Sequence, residues 1–170
     1  MRRDFLKLML GGAGLLALAS CSTRDPKFKT YSGPPVTRID VFKSRRVMTF
    51  YSGSRPIKSY NFGLGFAPRG HKDYEGDGKT PEGLYYIDRR NPNSRYHLSV
   101  GISYPNEQDK ARALAEGVQV GSDIFIHGQG PEGRAARVRD WTVGCIAVTD
   151  AEIEDIYAMV PDGTPIMIYP

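Results

Sequence analysis

From Val36 to its end the chain is a succession of short apolar runs cut by turn residues, and that rhythm restricts the fold more than any other feature. The runs are Ile39-Asp40-Val41-Phe42, Arg46 to Tyr51, Ile57 to Phe62, Leu84 to Ile87, His97 to Ile102, Asp123 to His127, Cys145 to Val148 and Pro165 to Tyr169. They are too short for ordinary helices and rich in β-branched and aromatic side chains, as strands are. Ser44-Arg45 reads as a hairpin turn, and Gly63-Leu64-Gly65 ends the third run. Nineteen Gly and 12 Pro supply the breaks, a balance that favours β structure over a helical bundle.

A helical period appears twice. Ala111, Leu114, Ala115 and Val118 recur at i, i+3, i+4 and i+7 behind Asn106, a good capping residue. Thr149-Asp150-Ala151-Glu152 has capping-box spacing ahead of the stripe Ile153, Ile156, Tyr157 and Val160, and Pro161-Asp162-Gly163 stops it. That stripe is read as core packing. The expectation is one mainly β domain over residues 36–170, with about eight strands and two peripheral helices, large enough to bury a core.

Residues 1–20 read as an export signal: Arg2 and Arg3 precede an apolar stretch from Phe5 to Ala19 that is too short to span a bilayer. Arg2-Arg3-Asp4-Phe5-Leu6-Lys7 resembles a twin-arginine motif, and Leu18-Ala19-Ser20-Cys21 resembles a lipobox, which makes Cys21 the acylated mature N-terminus. Ser22 in place of Asp resembles the outer-membrane sorting pattern of Gram-negative lipoproteins. Residues 21–35 are then the lipidated N-terminus and a polar, Pro-bearing tether, and the domain is expected at the periplasmic face of a membrane. The formal net charge is +4 and falls to +2 without residues 1–20, which hold Arg2, Arg3 and Lys7 against Asp4. So small a surplus, with no basic cluster interleaved with aromatics, argues against nucleic acid as a partner.

With Cys21 used for lipid, Cys145 is left without a disulfide partner in an oxidising compartment. Such a thiol is either buried and inert or kept for chemistry. Eighteen positions earlier His127-Gly128 ends an apolar run, and an imidazole is the obvious base for a thiol. Gly144 before Cys145 allows a tight turn, and the N–H groups of Gly144 and Cys145 could form an oxyanion hole. One Cys and three scattered His lack the clustered spacing of a zinc site, so no metal is expected. Gly78-Lys79-Thr80 has a superficial phosphate-loop look, but Pro81 follows and no helix does.

His127-Gly128 and Thr142-Val143-Gly144-Cys145, with fourteen residues between His127 and Thr142, resemble the signature of bacterial L,D-transpeptidases. Gly76-Asp77-Gly78-Lys79-Thr80-Pro81-Glu82-Gly83-Leu84-Tyr85 is similar to that family's Gly-Asp-x-x-Thr-Pro-x-Gly-x-Tyr segment, and Gly63-Leu64-Gly65 stands in the expected order. The resemblance spans nearly the whole mature chain, from Val36 to Pro170. It implies an L,D-transpeptidase-like β-sandwich or barrel that acts on peptidoglycan stem peptides of the meso-diaminopimelate type, without metal or organic cofactor. Cys145 is then the nucleophile, His127 the general base, and Gly144 and Cys145 the backbone donors. Gly128, Thr142, Trp141 and Arg139 are the candidates for substrate contact.

The chain departs from the pattern at two places. Val143 stands where the family often has His, so support for His127 must come from elsewhere, for instance a backbone carbonyl. Ala147 stands where an Arg or Asn is common, and Arg134, Arg137 or Arg139 could replace that charge. These departures leave the acceptor open. The leading reading is a cysteine acyl-transferase, passing a thioester to a diaminopimelate amine or to the Lys of an anchored lipoprotein. The alternative is a cysteine hydrolase, an L,D-carboxypeptidase, endopeptidase or amidase, that passes it to water. A non-catalytic wall-binding module is disfavoured, because it needs neither Cys145 nor His127.

Overall fold

Alternation of apolar and polar side chains turns the short runs into strands with one face in the core. In β1 (Arg38–Phe42) Ile39 and Val41 are wholly buried, and Asp40 between them turns to the other face, where Arg38 Nε lies 3.3 Å from its carboxylate. The same parity buries Met48 and Phe50 in β2 (Val47–Ser52), Tyr60 in β3 (Arg55–Asn61), and Tyr85 and Ile87 in β4 (Gly83–Asn91). β5 (Ser99–Ile102) is buried along its whole length, and β6 (Phe125–His127) and β7 (Ile146–Ala147) are short. β8 (Pro165–Tyr169) contributes Ile166 and Ile168. The computed structural model describes residues 25–170; the expected export signal and the expected lipidation site Cys21 lie outside the described residues.

The eight strands form one curled sheet in the order β3-β2-β1-β8-β4-β5-β6-β7. The last strand in sequence is thus central, parallel to β1 and antiparallel to β4. β4 serves both halves of the sheet. Residues Gly83 to Tyr86 pair with β8, Ile87 to Asn91 pair with β5, and a bulge between Ile87 and Arg89 bends the strand where it changes partner. The curl brings the segment after β3 back to β7, where Gly63 and Ala147 exchange N–H···O bonds of 2.8 and 2.9 Å and Gly65 bridges to Thr142. That seam adjoins the candidate residues His127 and Cys145.

Three helices decorate the sheet, one more than the sequence reading expected. α3 (Asp150–Met159) is as read: Thr149 and Glu152 form a reciprocal capping box, and Ile153, Ile156 and Val160 are fully buried. Each such side chain contributes about 1.5–3 kcal/mol of burial. α1 (Glu107–Glu116) starts at the expected cap, Asn106, but the apolar repeat does not face the core. Leu114 is 82% exposed, and the helix docks through Ala113 and Asp109, whose carboxylate accepts the Tyr85 hydroxyl at 2.9 Å. The unexpected element is α2 (Gly130–Ala135), six residues with two glycines. Its first N–H groups, from Gln129 and Gly130, donate to Asp150 Oδ1 at 2.8 and 2.9 Å, so a residue that opens α3 also secures α2.

Candidate active site

The parallel pairing of β6 with β7 matches Ile126 to Ile146 and His127 to Ala147. Continued by one residue, that register sets Cys145 opposite Phe125. Parity then places the Cys145 and His127 side chains on the same face, two positions apart along the strands, roughly 7 Å. The seventeen residues between them in sequence include α2 and the loop that returns to the seam.

Three layers of backbone hold the Cys145 turn. Gly65 lies so close beneath it that a Cβ would stand 1.9 Å from Gly78 O and 2.8 Å from Gly144 N. Thr80, wholly buried, donates its hydroxyl to Gly144 O at 2.8 Å. Gly144 has φ +132°, and a Cβ there would meet Lys79 O at 2.7 Å. The loop that supplies Gly78 and Thr80 is organised around Asp77, which accepts the N–H groups of Asp73, Tyr74 and Lys79 and the buried Lys72 ammonium at 2.8 Å. These bonds hold the Asp77 carboxyl below the usual range against the opposing effect of burial, the largest influence on it. The Gly-Asp-Gly-Lys-Thr-Pro segment therefore cradles the Cys145 turn.

His127 is 2% exposed. Its ring stacks on Tyr96 (centroids 4.5 Å apart) and meets the edge of Trp141 at 5.6 Å, while Tyr96 and Trp141 touch each other at 5.6 Å. Burial lowers the imidazole pKa, against a smaller opposing effect of the bond to Gly128. Nδ1 lies 2.6 Å from Gly128 O. A carbonyl only accepts, so Nδ1 carries the proton and Nε2 bears the lone pair of the neutral ring. Support for His127 in place of the missing side chain at Val143 is thus a backbone carbonyl. The Cys145 thiol, half-buried, donates to Asp123 O at 3.4 Å, and Asp123 reaches that position with φ +59°. Burial pushes the thiol pKa up, and the Phe125 N–H opposes this to a lesser degree.

Several expected contacts are already engaged. The Gly144 N–H, read as an oxyanion donor, is given to Thr142 Oγ1 at 3.2 Å. Thr142, read as a substrate contact, is buried and donates its hydroxyl to Cys145 O at 2.7 Å, so it closes the turn that carries Cys145. Gly128, also read as a substrate contact, is packed so tightly that a Cβ would stand 2.6 Å from Asp150 Oδ1 and 2.7 Å from Tyr96 O. Trp141 and Arg139 do reach open space. Both line a cleft of about 440 Å³ whose wall also includes Gly63, Ala147, Arg137 and Glu152. Neither Cys145 nor His127 lines that cleft, but Trp141 and Ala147 belong to both.

His71 and His97 take other roles. His71 binds the Glu82 backbone through Nδ1; its Nε2 lies 3.1 Å from Asp109 Oδ1 but out of line for a hydrogen bond. His97 precedes β5 with φ +79° and pairs with Glu154 at 2.8 Å. Among the described residues no group of three or more His, Cys, Asp or Glu side chains is placed to hold a metal ion. The sequence reading missed Tyr96 and Asp150, whose roles depend on strands and helices brought together from distant positions. The Pro131-Glu132 start of α2 was the one local sign of that helix.

A family profile for the L,D-transpeptidase catalytic domain, YkuD, matches residues 36–168. The chain is 32% identical over 163 residues to YafK of Escherichia coli (strain K12), itself named only as a candidate L,D-transpeptidase. That alignment covers 87% of this chain and 57% of YafK, so the chain spans little more than half the length of its curated relative. Among solved structures, the helical cell shape determining protein Pgp2 of Campylobacter jejuni superposes with a TM-score of 0.61 at 26% identity, over 81% of this chain and 49% of Pgp2. Bd1075 of Bdellovibrio bacteriovorus follows with a TM-score of 0.59 at 24% identity, over 84% of this chain and 51% of that one. An L,D-transpeptidase of Mycobacterium smegmatis shares the fold at 14% identity, TM-score 0.54, over 81% of this chain and 60% of that one. On the matched profile, which takes in nearly all of the described residues, the chain belongs to the L,D-transpeptidase catalytic domain family.

Proposed function

We propose that the domain is an exported, lipid-anchored cysteine acyl-transferase that works on peptidoglycan stem peptides at the periplasmic face of the membrane. The observation that supports this reading best is the β6–β7 pairing of His127 with Ala147, whose continuation by one residue brings Cys145 to the face of His127, an imidazole whose pKa burial lowers. The likeness to a helical cell shape determining protein supports a wall substrate. Cys145 Sγ attacks the carbonyl at the L-centre of meso-diaminopimelate in a tetrapeptide stem while His127 Nε2 takes the thiol proton. The oxyanion is received by the Cys145 N–H, since the Gly144 N–H is held by Thr142. Collapse of the intermediate breaks the peptide bond, and His127 returns the proton to the departing D-Ala amine. An acceptor amine, from a second diaminopimelate or from the Lys of an anchored lipoprotein, then attacks the thioester and restores the thiol.

The test is to incubate the purified protein with disaccharide-tetrapeptides and read the products by mass spectrometry, with Cys145→Ala as control. Cross-linked dimers with free D-Ala, absent in the control, are the expected result. Tripeptide and D-Ala without dimers would make water the acceptor and the enzyme a hydrolase. Equal products from Cys145→Ala would overturn the thioester mechanism.

A further inference from the structure

Every peptide unit of the Cys145 turn is held by a threonine hydroxyl. The unit that ends in the Gly144 N–H is held by Thr142 Oγ1, which accepts that N–H at 3.2 Å. The unit that begins with the Cys145 carbonyl is held by the same hydroxyl, which donates to Cys145 O at 2.7 Å. The unit between them, Gly144 C=O with Cys145 N–H, belongs to a different residue. Thr80 donates its hydroxyl to Gly144 O at 2.8 Å in a buried bond, from a loop 64 positions earlier. Thr80 itself has little play. It is wholly buried, Pro81 follows it, and the buried Lys43 ammonium donates to its carbonyl at 2.9 Å while pairing with Glu82 at 2.8 Å.

In a trans peptide the C=O and the N–H lie in one plane and point in opposite directions. A hydroxyl that fixes Gly144 O therefore also fixes the direction of the Cys145 N–H, away from Thr80. Left to its own sterics that plane could turn, because Gly144, at φ +132°, has no side chain to resist a change in its ψ. The bond to Thr80 also polarises the amide and makes its N–H a stronger donor. We propose that Thr80 is a positioning residue for the oxyanion donor. Through the Gly144 carbonyl, its hydroxyl aims the Cys145 N–H at the oxygen that becomes negative when Cys145 Sγ adds to a carbonyl. The assignment rests on the thioester reading above and extends it to a wholly buried residue that no substrate reaches.

A residue that only supports the turn serves every reaction of the thiol, whereas one that aims the oxyanion donor serves only reactions that pass through an oxyanion. Two small reagents separate the cases. With p-nitrophenyl acetate, Sγ bonds to the carbonyl carbon, the thiol proton passes to His127, and the ester C–O bond breaks with its electron pair leaving on nitrophenolate. Iodoacetamide is attacked at a saturated carbon and expels iodide, with no oxyanion.

Both rates are measured on the purified protein in wild type, Thr80→Val and Thr80→Ser, with Cys145→Ala as background. Thr80→Val is expected to slow acylation about thirtyfold, short of the roughly 10²–10³ that loss of an oxyanion donor costs, with alkylation within about twofold of wild type. Thr80→Ser keeps the hydroxyl and should recover acylation to within about threefold of wild type. With a tetrapeptide that is turned over, the Thr80→Val loss should fall on kcat and leave KM within about twofold. Equal losses of acylation and alkylation in Thr80→Val, no loss of acylation, or no recovery in Thr80→Ser would overturn the assignment. So would a wild-type Cys145 that is alkylated but not acylated. Should Thr80→Val not fold, Thr80→Ala, which opens space instead of filling it, carries the same comparison; if neither folds, Thr80 is structural and the assignment falls. The expected acylation pattern with no tetrapeptide turned over would keep Thr80 in this role and remove the peptidoglycan reading.

Discussion

At the scale of single residues, the Cys145 thiol and the His127 imidazole are both covered enough to favour their neutral forms. Burial raises the pKa of the first and lowers that of the second. A resting thiolate–imidazolium pair is therefore disfavoured, and under the proposed mechanism the thiol proton passes to His127 only as Cys145 attacks the substrate. Alkylation of Cys145 in the free protein should accelerate only above the ordinary thiol range, beyond about pH 8.5, and a rate plateau near neutrality would contradict this. Stability follows the same signs. A lowered imidazole pKa means that the unfolded chain takes the proton first, so the His127 contribution is complete above about pH 6.5 and is lost as the pH falls below it. The raised thiol pKa means that the Cys145 contribution is complete below about pH 8.5 and is lost above it. Thermal unfolding across pH should show His127→Gln flattening the acid arm of the wild-type profile and Cys145→Ala flattening the alkaline arm. An unchanged profile in either variant would remove that assignment.

At the scale of elements, two helices with similar apolar spacing behave differently because only one lies over the sheet with that spacing inward. Ile153 in α3 is wholly buried, whereas Leu114 in α1 is 82% exposed. Ile153→Ala should cost about 2–5 kcal/mol in denaturant unfolding. Leu114→Gln should stay within about 0.5 kcal/mol of wild type, and a loss like that at Ile153 would show that α1 packs through Leu114 after all. The cradle of the Cys145 turn is less forgiving. In Gly65→Ala the new Cβ meets backbone on both sides, at 1.9 Å from Gly78 O and 2.8 Å from Gly144 N. Backbone cannot swing aside as a side chain does. The variant should lose soluble folded protein or, if it folds, lose amide-exchange protection at Gly78 and Gly144.

At the scale of the whole molecule, the sheet depends on its last strand. β8 lies between β1 and β4, so the chain cannot complete its centre until its final residues arrive. Removing residues 165–170 would expose the β1 and β4 edges together with Ile39, Val41 and Tyr85, all at or near full burial. The truncated chain should show no cooperative unfolding transition by calorimetry, and a cooperative one would mean that the two halves of the sheet fold separately. The same long-range closure joins β3 to β7 through Gly63 and Ala147, two residues of the cleft beside Trp141.

What the sequence determined by itself was local. Short apolar runs between turn residues marked all eight strands, the Thr149–Glu152 spacing marked the cap of α3, and the order of Gly-Asp-Gly-Lys-Thr-Pro, His127-Gly128 and Gly144-Cys145 pointed to the family. These signals are carried by neighbours along the chain, which is why they survive without a structure. His97 shows where a local signal overreached: its run looks like strand, but φ +79° keeps it outside β5. Tertiary structure alone decided which face of α1 is solvated, that Gly144 gives its N–H to Thr142, and that Tyr96 and Trp141 enclose His127. It also decided that Arg137, Arg139 and Ala147 line one cleft. Each of these depends on groups far apart in sequence meeting across a curled sheet, and burial, geometry and charge at such meetings are properties of the closed fold.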